Sequence, residues 1–258
     1  MAPVAQGRIV SVFAAKGGCG KTTLATNLAV VLTAGGTRRV CLLDLDLTFG
    51  DVATSLRLEA RRSLVDAVPF AGALDVLTIR SVITPFVPGL DCILAPVRPG
   101  ESELISAGLV GELLADLPCW YDYVVIDTPA QFSPPVLIAL DSSHHHVLLT
   151  TPERPALASL RLTLDMLDLL SYDRESRSIV FNRCDSSVGL SAAEVEQVVK
   201  SPIAGHIPSS RDVPASTNQG QPLVLAQPGH PVSQAIRDFA TTHLVPAKKG
   251  NPNVEANP

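Results

Sequence analysis

The sequence predicts an α/β fold in which helices cover both faces of a doubly wound, mostly parallel β-sheet. Short apolar segments alternate with longer segments of helical periodicity, an order typical of repeated βαβ units. Apolar residues make up 46% of the 258 residues and aromatic residues only 4%, which indicates an aliphatic core suited to a buried parallel sheet. A glycine-rich turn joins the first apolar segment to the first helical one. The length fits one domain, placed at residues 8–245, with disordered segments at 1–7 and 246–258.

The elements follow from hydrophobic pattern and from turn residues. The first strand is a run of apolar residues over 8–14, and the helix over 21–34 ends at a pair of glycines, as helices commonly do. Leucines at helical spacing predict an amphipathic helix over 155–170. The segment 50–90 is irregular and contains prolines, so we predict an insertion on the sheet rim. The other predicted strands are 39–45, 91–95, 121–127, 146–151, 178–182 and 204–207; the other helices are 101–117, 134–141, 191–200 and 231–243; the short helical pieces of the insertion are 51–58, 63–68 and 74–79.

Charge and cysteine usage argue against several classes of protein. Lysine and arginine number 20 against 25 acidic residues, and no dense basic block is present, so we expect no nucleic-acid partner. The five cysteines are scattered and odd in number, which disfavours a disulfide framework and fits a reducing cytosol. The sequence contains no evident signal peptide and no membrane-spanning run, so we expect a cytoplasmic protein.

The glycine-rich turn after the first strand has the composition of a phosphate-binding loop. Glycines let backbone N–H groups approach phosphates, and the helix that follows adds the positive end of its dipole. Lys21 is predicted to reach the β- and γ-phosphates of ATP, and the Thr22 hydroxyl to coordinate Mg²⁺. The strict pattern G-x-x-x-x-G-K-[ST] fails once, because Ala15 occupies the position of the first glycine. The predicted loop residues are Lys16, Gly17, Gly18, Cys19, Gly20, Lys21, Thr22 and Thr23.

Three carboxylates are placed where two apolar strands end. Asp44 and Asp46 close the second strand, and Asp127 closes the strand over 121–127. Ligands of doubly wound sheets bind outside the carboxyl ends of the strands, so these side chains are candidates to hold Mg²⁺ or to orient an attacking water. Asp127 and Asp44 are predicted to serve the Mg²⁺ site together with Thr22. The alternative is that the acids cap helices or face solvent.

Two further features have ordinary explanations. Cys19 is expected to have a packing role, although a helix N-terminus can lower the pKa of a thiol. His144, His145 and His146 alternate between the faces of a strand, so a metal site is the weaker interpretation.

The loop sequence Lys-Gly-Gly-x-Gly-Lys-Thr-Thr, with its additional early lysine, resembles the deviant Walker A motif of the MinD/ParA ATPases. The resemblance covers residues 8 to about 243 and implies a P-loop NTPase fold that binds ATP or ADP with Mg²⁺. It implies that Lys16 contacts the phosphates of the other subunit in a homodimer formed on ATP binding. It also implies that Asp46 positions the hydrolytic water and that Asp127 begins the second switch, Asp-Thr-Pro.

The same resemblance assigns the nucleotide base to two later loops. Asn182 is the position that reads the adenine edge, with Arg183 beside it, and the loop at Ile207 and Pro208 packs on the base. Without the resemblance, an asparagine after a strand is an ordinary turn residue.

Within this family the sequence is most similar to the CpaE/TadZ branch. The similarity is carried by the phosphate loop, by Phe49-Gly50-Asp51 after the second strand, and by the segments 62–66, 94–99 and 219–223. It implies a weak, partner- or dimer-stimulated ATPase that positions a type IV (Flp/Tad) pilus or secretion complex. Such a protein has no membrane anchor of its own and is recruited to the membrane or cell pole by partners. The alternatives are a nucleotide-binding scaffold with little turnover, or a septum-site or partition-type ATPase acting on division machinery or DNA.

Overall fold

The computed structural model describes residues 6–185 and 190–246 as one domain. Its strands are β1 (Arg8–Phe13), β2 (Val40–Asp44), β3 (Ile83–Val87), β4 (Leu90–Ile93), β5 (Tyr123–Asp127), β6 (His145–Thr150), β7 (Arg177–Asn182) and β8 (Gly205–Ile207). Its α-helices are α1 (Lys21–Leu32), α2 (Val52–Ser55), α3 (Val76–Val82), α4 (Ala107–Asp116), α5 (Pro134–Ser142), α6 (Arg154–Leu169), α7 (Ala192–Val199), α8 (Asp212–Asn218), α9 (Leu223–Ala226) and α10 (Pro231–Phe239).

The eight strands form one sheet in the order β3-β4-β2-β5-β1-β6-β7-β8. Every neighbouring pair is parallel except β3 and β4, which are antiparallel. The predicted doubly wound α/β fold is therefore confirmed. Because the parallel strands point the same way, the loops after β1, β2, β5 and β7 gather at one edge of the sheet.

Alternate residues of the strands pack against opposite helical layers. Val10 and Val12 of β1 belong to a core that also contains apolar residues of α1, α9 and α10. Ile9 belongs to a second core with residues of α4, and Phe13 to a third with residues of α5, α6 and α7. Both faces of the sheet are thus buried under aliphatic side chains, as the composition predicts.

The helix α6 is the longest in the described part of the chain, with 16 residues. Leu157, Leu160 and Leu164 are buried on one face, which confirms the predicted amphipathic helix. No helix within residues 6–185 and 190–246 is long and apolar enough to cross a bilayer.

Several boundaries differ from the sequence prediction for local reasons. The prediction for the insertion over 50–90 contains no strand, whereas the structure has β3 there. It is an edge strand whose register shifts beside Pro85, and an edge strand tolerates a proline because one side of it needs no ladder hydrogen bonds. The helix predicted over 101–117 is wrong in its first part. A 3₁₀ turn over Glu101–Leu104 precedes α4, which begins anew where the Ser106 hydroxyl accepts a bond from the Leu109 N–H at 3.1 Å.

The C-terminal third contains more helix than predicted. The prediction missed α8 and α9, and the helix expected over 231–243 ends at Phe239 and continues as a π-helical turn over Ala240–Leu244. Of the segments predicted to be disordered, 1–7 and 246–258, only Gln6, Gly7 and Pro246 lie within the described residues. Gly7 is buried and donates its N–H to the Pro118 carbonyl at 2.9 Å, so the packed domain begins before residue 8.

Candidate functional site

The turn between β1 and α1 has a conformation that requires glycine. Gly18 and Gly20 have φ values of 79° and 95°, in the region that residues with a side chain rarely adopt. A Cβ atom on Gly20 would lie 2.8 Å from the Asn182 side-chain nitrogen, whereas one on Gly17 or Gly18 would meet no atom within 4 Å. One side of the loop is therefore packed tightly, and the other faces open space.

The first turn of α1 presents backbone donors toward that space. Gly20 caps the helix without a side-chain hydrogen bond, and no acidic residue lies in the first turn. The first N–H to bond inside the helix is that of Leu24, to the Gly20 carbonyl at 2.9 Å. The three N–H groups before it cannot be satisfied within the helix, and the helix dipole makes this end positive. The arrangement suits an anion such as a phosphate.

Asp127 ends β5 beside this turn and is 1% exposed. Among the described residues, neither of its carboxylate oxygens has a hydrogen-bond partner. Burial raises the pKa of Asp127 to about 7, and the nearby Thr22 hydroxyl and Lys21 ammonium oppose part of that rise. An unpartnered buried carboxyl group is costly, so this position favours a cation or ordered water as its partner.

Asp44 lies beside Asp127, because the two residues are paired in register on the adjacent strands β2 and β5. Its carboxylate accepts hydrogen bonds from the N–H groups of Asp46 at 3.1 Å and Val52 at 3.2 Å. Burial, and after it the neighbouring Asp127 charge, raises the pKa of Asp44 well above its usual range. Asp44 is thus held in place by backbone donors, whereas Asp127 is not.

The loop after β2 folds back over Asp44. A Cβ atom on Gly50 would lie 2.7 Å from the Asp44 carboxylate and 2.3 Å from the Ala95 side chain, so only glycine fits there. Asp46 is half-buried in this loop, and its carboxylate accepts a bond from the Phe49 N–H at 3.2 Å. The loop therefore places Asp46 beside the predicted Mg²⁺ ligands.

Lys16 lies on the open side of the phosphate loop. Its side chain is exposed, as are Gly17 and Gly18, and it makes no ion pair or side-chain hydrogen bond with a described residue. Lys21, in contrast, is half-buried at the start of α1. The two lysines of the motif thus differ in environment: one faces the carboxylates of its own domain and the other faces outward.

Asn182 and Arg183 support the phosphate loop from the end of β7. The Asn182 amide donates to the Cys19 carbonyl at 2.8 Å, and the Arg183 guanidinium donates to the Gly18 carbonyl at 3.2 Å. The Asn182 side-chain oxygen Oδ1 in turn accepts from the Arg183 backbone N–H at 3.0 Å. Sequence reasoning placed both residues at the nucleotide but did not find this bracing of the loop.

A cavity of about 340 Å³ adjoins the loop on the side of Asn182. The predicted base-binding positions Asn182, Arg183, Ile207 and Pro208 all line it. The prediction missed a second wall, which α8 supplies. The sequence of this segment predicts a helix only weakly. The Ser, Thr, Asn and Pro residues within 212–218 are as typical of a turn as of a helix. The lining residues contributed by α8 are Val213, Pro214, Thr217 and Asn218.

Cys19 and the three histidines have structural contacts, and His144 Nδ1 accepts a bond from the Ile9 N–H at 3.1 Å. Cys19 is buried, with its Sγ 3.8 Å from the Thr151 hydroxyl. Burial raises the pKa of its thiol, so the alternative that the helix N-terminus lowers this pKa is wrong. His146 Nδ1 lies 3.0 Å from the Ser11 hydroxyl and His145 Nε2 lies 2.8 Å from the Ser178 hydroxyl. Burial lowers the pKa of both histidines to about 4. Among the residues the structure describes, no group of three or more His, Cys, Asp or Glu side chains could hold a metal ion.

The residues at this edge fit a nucleoside triphosphate with Mg²⁺. Open backbone donors and Lys21 suit phosphate oxygens, and the cavity suits a base. The orphaned oxygens of Asp127, near the Thr22 hydroxyl, suit a hydrated divalent cation, which prefers oxygen ligands and retains water.

The sequence matches the profile of the ParA family, described as NUBPL iron-transfer P-loop NTPase, over residues 6–244. Among curated proteins it is 26% identical over 228 residues to the septum site-determining protein MinD of Synechocystis. That alignment covers 85% of this chain and 83% of the relative.

Two solved structures have the same fold. The ParA family ATPase of Chlorobium tepidum superposes with a TM-score of 0.85 at 25% identity, covering 91% of this chain and 98% of that one. The MinD protein of Pyrococcus horikoshii, complexed with Mg-ADP, superposes with a TM-score of 0.80 at 24% identity. That superposition covers 92% of this chain and 95% of the MinD chain.

We predict that the buried carboxyl groups make the stability of the ligand-free protein fall as the pH rises. Because the pKa of Asp127 is raised to about 7 in the folded state, the folded chain binds this proton more tightly than the unfolded chain. The loss of folding free energy that comes from ionising the buried Asp127 is nearly absent at pH 4 and grows as the pH rises toward about 7. Asp127→Asn should therefore be more stable than wild type at pH 8 by on the order of 2–4 kcal/mol, with little difference near pH 4.

Urea unfolding in EDTA, without nucleotide, measures this difference across the pH range. Asp238→Asn is the matched control, because Asp238 is exposed on α10. Parallel pH profiles for wild type and Asp127→Asn would contradict the assigned burial of an unpartnered carboxylate.

Proposed function

This chain belongs to the ParA family of P-loop NTPases, and on that premise we propose that it is an ATP-binding and ATP-hydrolysing switch that dimerises and positions a larger assembly. The observation that carries the proposal is the pair of orphaned oxygens of Asp127 beside Lys21 and Thr22. A buried carboxylate without backbone donors, beside the Lys21 ammonium and the Thr22 hydroxyl, has the surroundings expected of a Mg²⁺-nucleotide site.

Each site residue has a role that its surroundings support. Lys21 and the backbone donors of the loop bind the phosphates, and the Thr22 hydroxyl and Asp127 serve the Mg²⁺ shell. Asp44, fixed by two backbone donors, supports that shell from the adjacent strand. Bound Mg²⁺ supplies charge neutralisation at the β- and γ-phosphates. Asp46 orients the water that attacks, because it lies on the loop next to Asp44 and carries a carboxylate that can accept a proton.

The base of the nucleotide occupies the cavity beside Asn182. Ile207 and Pro208 form one wall of that cavity and α8 forms the other, so the base is packed between a loop and a helix. Because Asn182 and Arg183 also brace the loop carbonyls, the same two residues connect base binding with the conformation of the phosphate loop.

A second copy of the chain is the proposed partner at the open edge. Lys16 points outward there, which suits a contact with phosphates held by another subunit. Phe49, in the loop after β2, is 78% exposed, and Val97, in the loop after β4, is 63% exposed. Apolar side chains at the rim of a ligand site are typical of surfaces that become buried on association.

The assembly that this switch positions is proposed from sequence similarity. The Phe-Gly-Asp segment after β2 and the segment 219–223 support a pilus or secretion complex of the Flp/Tad type, with recruitment from the cytoplasm to the membrane or pole. The septum site-determining name of a relative supports a second candidate, in which the assembly belongs to the division machinery.

A fluorescent fusion at native expression level should distinguish these two assemblies. Foci that coincide with sites of pilus assembly, and that disperse in a Lys21→Ala variant, are the expected result because recruitment would require the ATP-bound dimer. Accumulation at the division septum would contradict the pilus proposal and support the second candidate.

We predict that Asp46→Asn abolishes most ATP hydrolysis but preserves ATP binding. The amide keeps the size of the side chain and loses its ability to accept a proton, so turnover should fall by about 10²–10⁴-fold. Steady-state phosphate release and binding of a fluorescent ATP analogue separate the two effects, with Asp238→Asn as control. If wild type and Asp46→Asn release phosphate at the same negligible rate, the chain is a nucleotide-binding scaffold instead.

We predict that ATP shifts the Asp46→Asn protein from monomer to dimer, measured by light scattering coupled to gel filtration. Adding Lys16→Ala should abolish the shift, and Phe49→Ser should weaken dimerisation by roughly tenfold because a large apolar contact is lost. Leu169→Ser is the matched control, since Leu169 is also 78% exposed but ends α6 at the other edge of the sheet. A dimer that is equally sensitive to Leu169→Ser, or no dimer at all, contradicts the proposed interface.

A further inference from the structure

A second cleft, of about 980 Å³, lies at the edge of the sheet opposite the phosphate loop. Arg8, His145 and Arg177, the first residues of β1, β6 and β7, all line it. The six-residue strands separate it from the nucleotide edge by roughly 20 Å. Catalytic ligands of doubly wound sheets bind at the carboxyl ends of strands, so this cleft at the amino ends is a separate feature.

The cleft has an excess of positive charge on a chain that is acidic as a whole. Five arginine and lysine side chains line it against two carboxylates, an excess of three positive charges, whereas the net charge of the chain is −5. The cationic residues are Arg8, Arg161, Arg174, Arg177 and Lys200, and the acidic residues are Asp168 and Glu175.

Three of these cations already have partners that explain them. Arg161 pairs with Asp165 at 2.6 Å and donates to the Val199 carbonyl at 3.0 Å, at the C-terminus of α7. Arg174 and Arg177 both pair with Asp168, at 2.5 and 2.7 Å. These contacts tie helix ends to the sheet and need no ligand.

Arg8 and Lys200 have no such explanation. Neither side chain makes an ion pair or hydrogen bond with any residue in the ranges 6–185 and 190–246. Arg8 is half-buried, where an uncompensated charge is unfavourable. Lys200 caps the C-terminus of α7 with a φ of 57°, a conformation in which glycine is the easier residue. Both residues are therefore cations available to a ligand.

Four of the apolar residues that line the cleft form what we call its floor. Of these, Leu164 and Ile179 are buried, and Pro202 and Ile203 line the side near Lys200. A ligand that fits must combine negative charge with apolar groups, and it must be larger than a single phosphate ion to fill the volume.

We propose that this cleft binds an acidic, partly apolar segment of a partner protein. A nucleic acid suits it less well, because a continuous phosphate backbone would meet Asp168 and Glu175 and would find only two uncommitted cations. A peptide can place its carboxylates opposite Arg8 and Lys200 and its apolar side chains on the floor. The site is a docking point for cargo, and none of its lining residues belongs to the phosphate loop at the other edge.

Fluorescence anisotropy with a labelled peptide of repeated Glu-Glu-Leu triplets tests the proposal on the full chain. Wild type should bind the peptide, should bind a Lys-Lys-Leu peptide at least about tenfold more weakly, and should lose affinity as salt is added. The double variant Arg8→Gln, Lys200→Gly should lose at least about tenfold in affinity. The glycine relieves the backbone conformation at position 200, so this change removes charge without straining the fold.

Two controls make the result decisive. Arg62→Gln removes one charge from an exposed arginine outside the cleft and should leave peptide affinity unchanged. Lys200→Gly alone, whose thermal melt should match or exceed wild type, keeps the test valid if the double variant folds poorly. Absence of peptide binding, or equal loss with Arg62→Gln, overturns the proposal. So does a random DNA duplex that binds more tightly and shows the same dependence on Arg8 and Lys200.

Discussion

Asp44 and Asp127 are held side by side at the ends of two central strands, where water is largely excluded. Burial of two neighbouring carboxylates is unfavourable unless cations, protons or donors compensate them. Asp44 obtains two backbone donors from the loop that folds over it, and that fold requires glycine at position 50. Asp127 obtains no backbone donor, and burial raises its pKa to about 7 although the Thr22 hydroxyl and Lys21 oppose that rise. The structure thus leaves the charge of Asp127 to be compensated by a proton or a cation.

The phosphate loop connects this carboxylate pair to the base cavity. Its carbonyls at Gly18 and Cys19 accept bonds from Arg183 and Asn182, so its N–H groups can turn toward the open side. The close packing of Gly20 against Asn182 fixes the same geometry from within the loop. Any displacement of Asn182 by a bound base would therefore act directly on the loop. In the proposed function, base and phosphate recognition are therefore joined through these two side chains at the end of β7.

The sequence was sufficient for the features that depend on local pattern. Alternating apolar segments predicted the parallel sheet, and the glycine-rich segment predicted the tight turn between β1 and α1. Contacts between distant parts of the chain could not be predicted in this way. Nothing in the sequence near Asn182 indicates a bond to the Cys19 carbonyl, 163 positions away. β3 and α8 were missed because proline weakens a strand or helix prediction, although an edge strand and a first helical turn both tolerate it. The orphaned state of Asp127 is likewise a property of packing and has no sequence signal.

The helix α6 runs from one edge of the sheet to the other. It is therefore the element through which the nucleotide site could affect a partner bound in the amino-edge cleft. The helix follows Thr151, whose hydroxyl lies near Cys19 of the phosphate loop, and it ends with Arg161, Leu164 and Asp168 beside the amino-edge cleft. Its 16 residues span about 24 Å without a break in the helix. For ATP to alter partner affinity, the two nucleotide states must place this helix differently, and the partner must then alter ATP affinity by the same factor. A tenfold effect requires only about 1.4 kcal/mol, comparable with one polar contact, so a small shift of α6 against Lys200 would suffice.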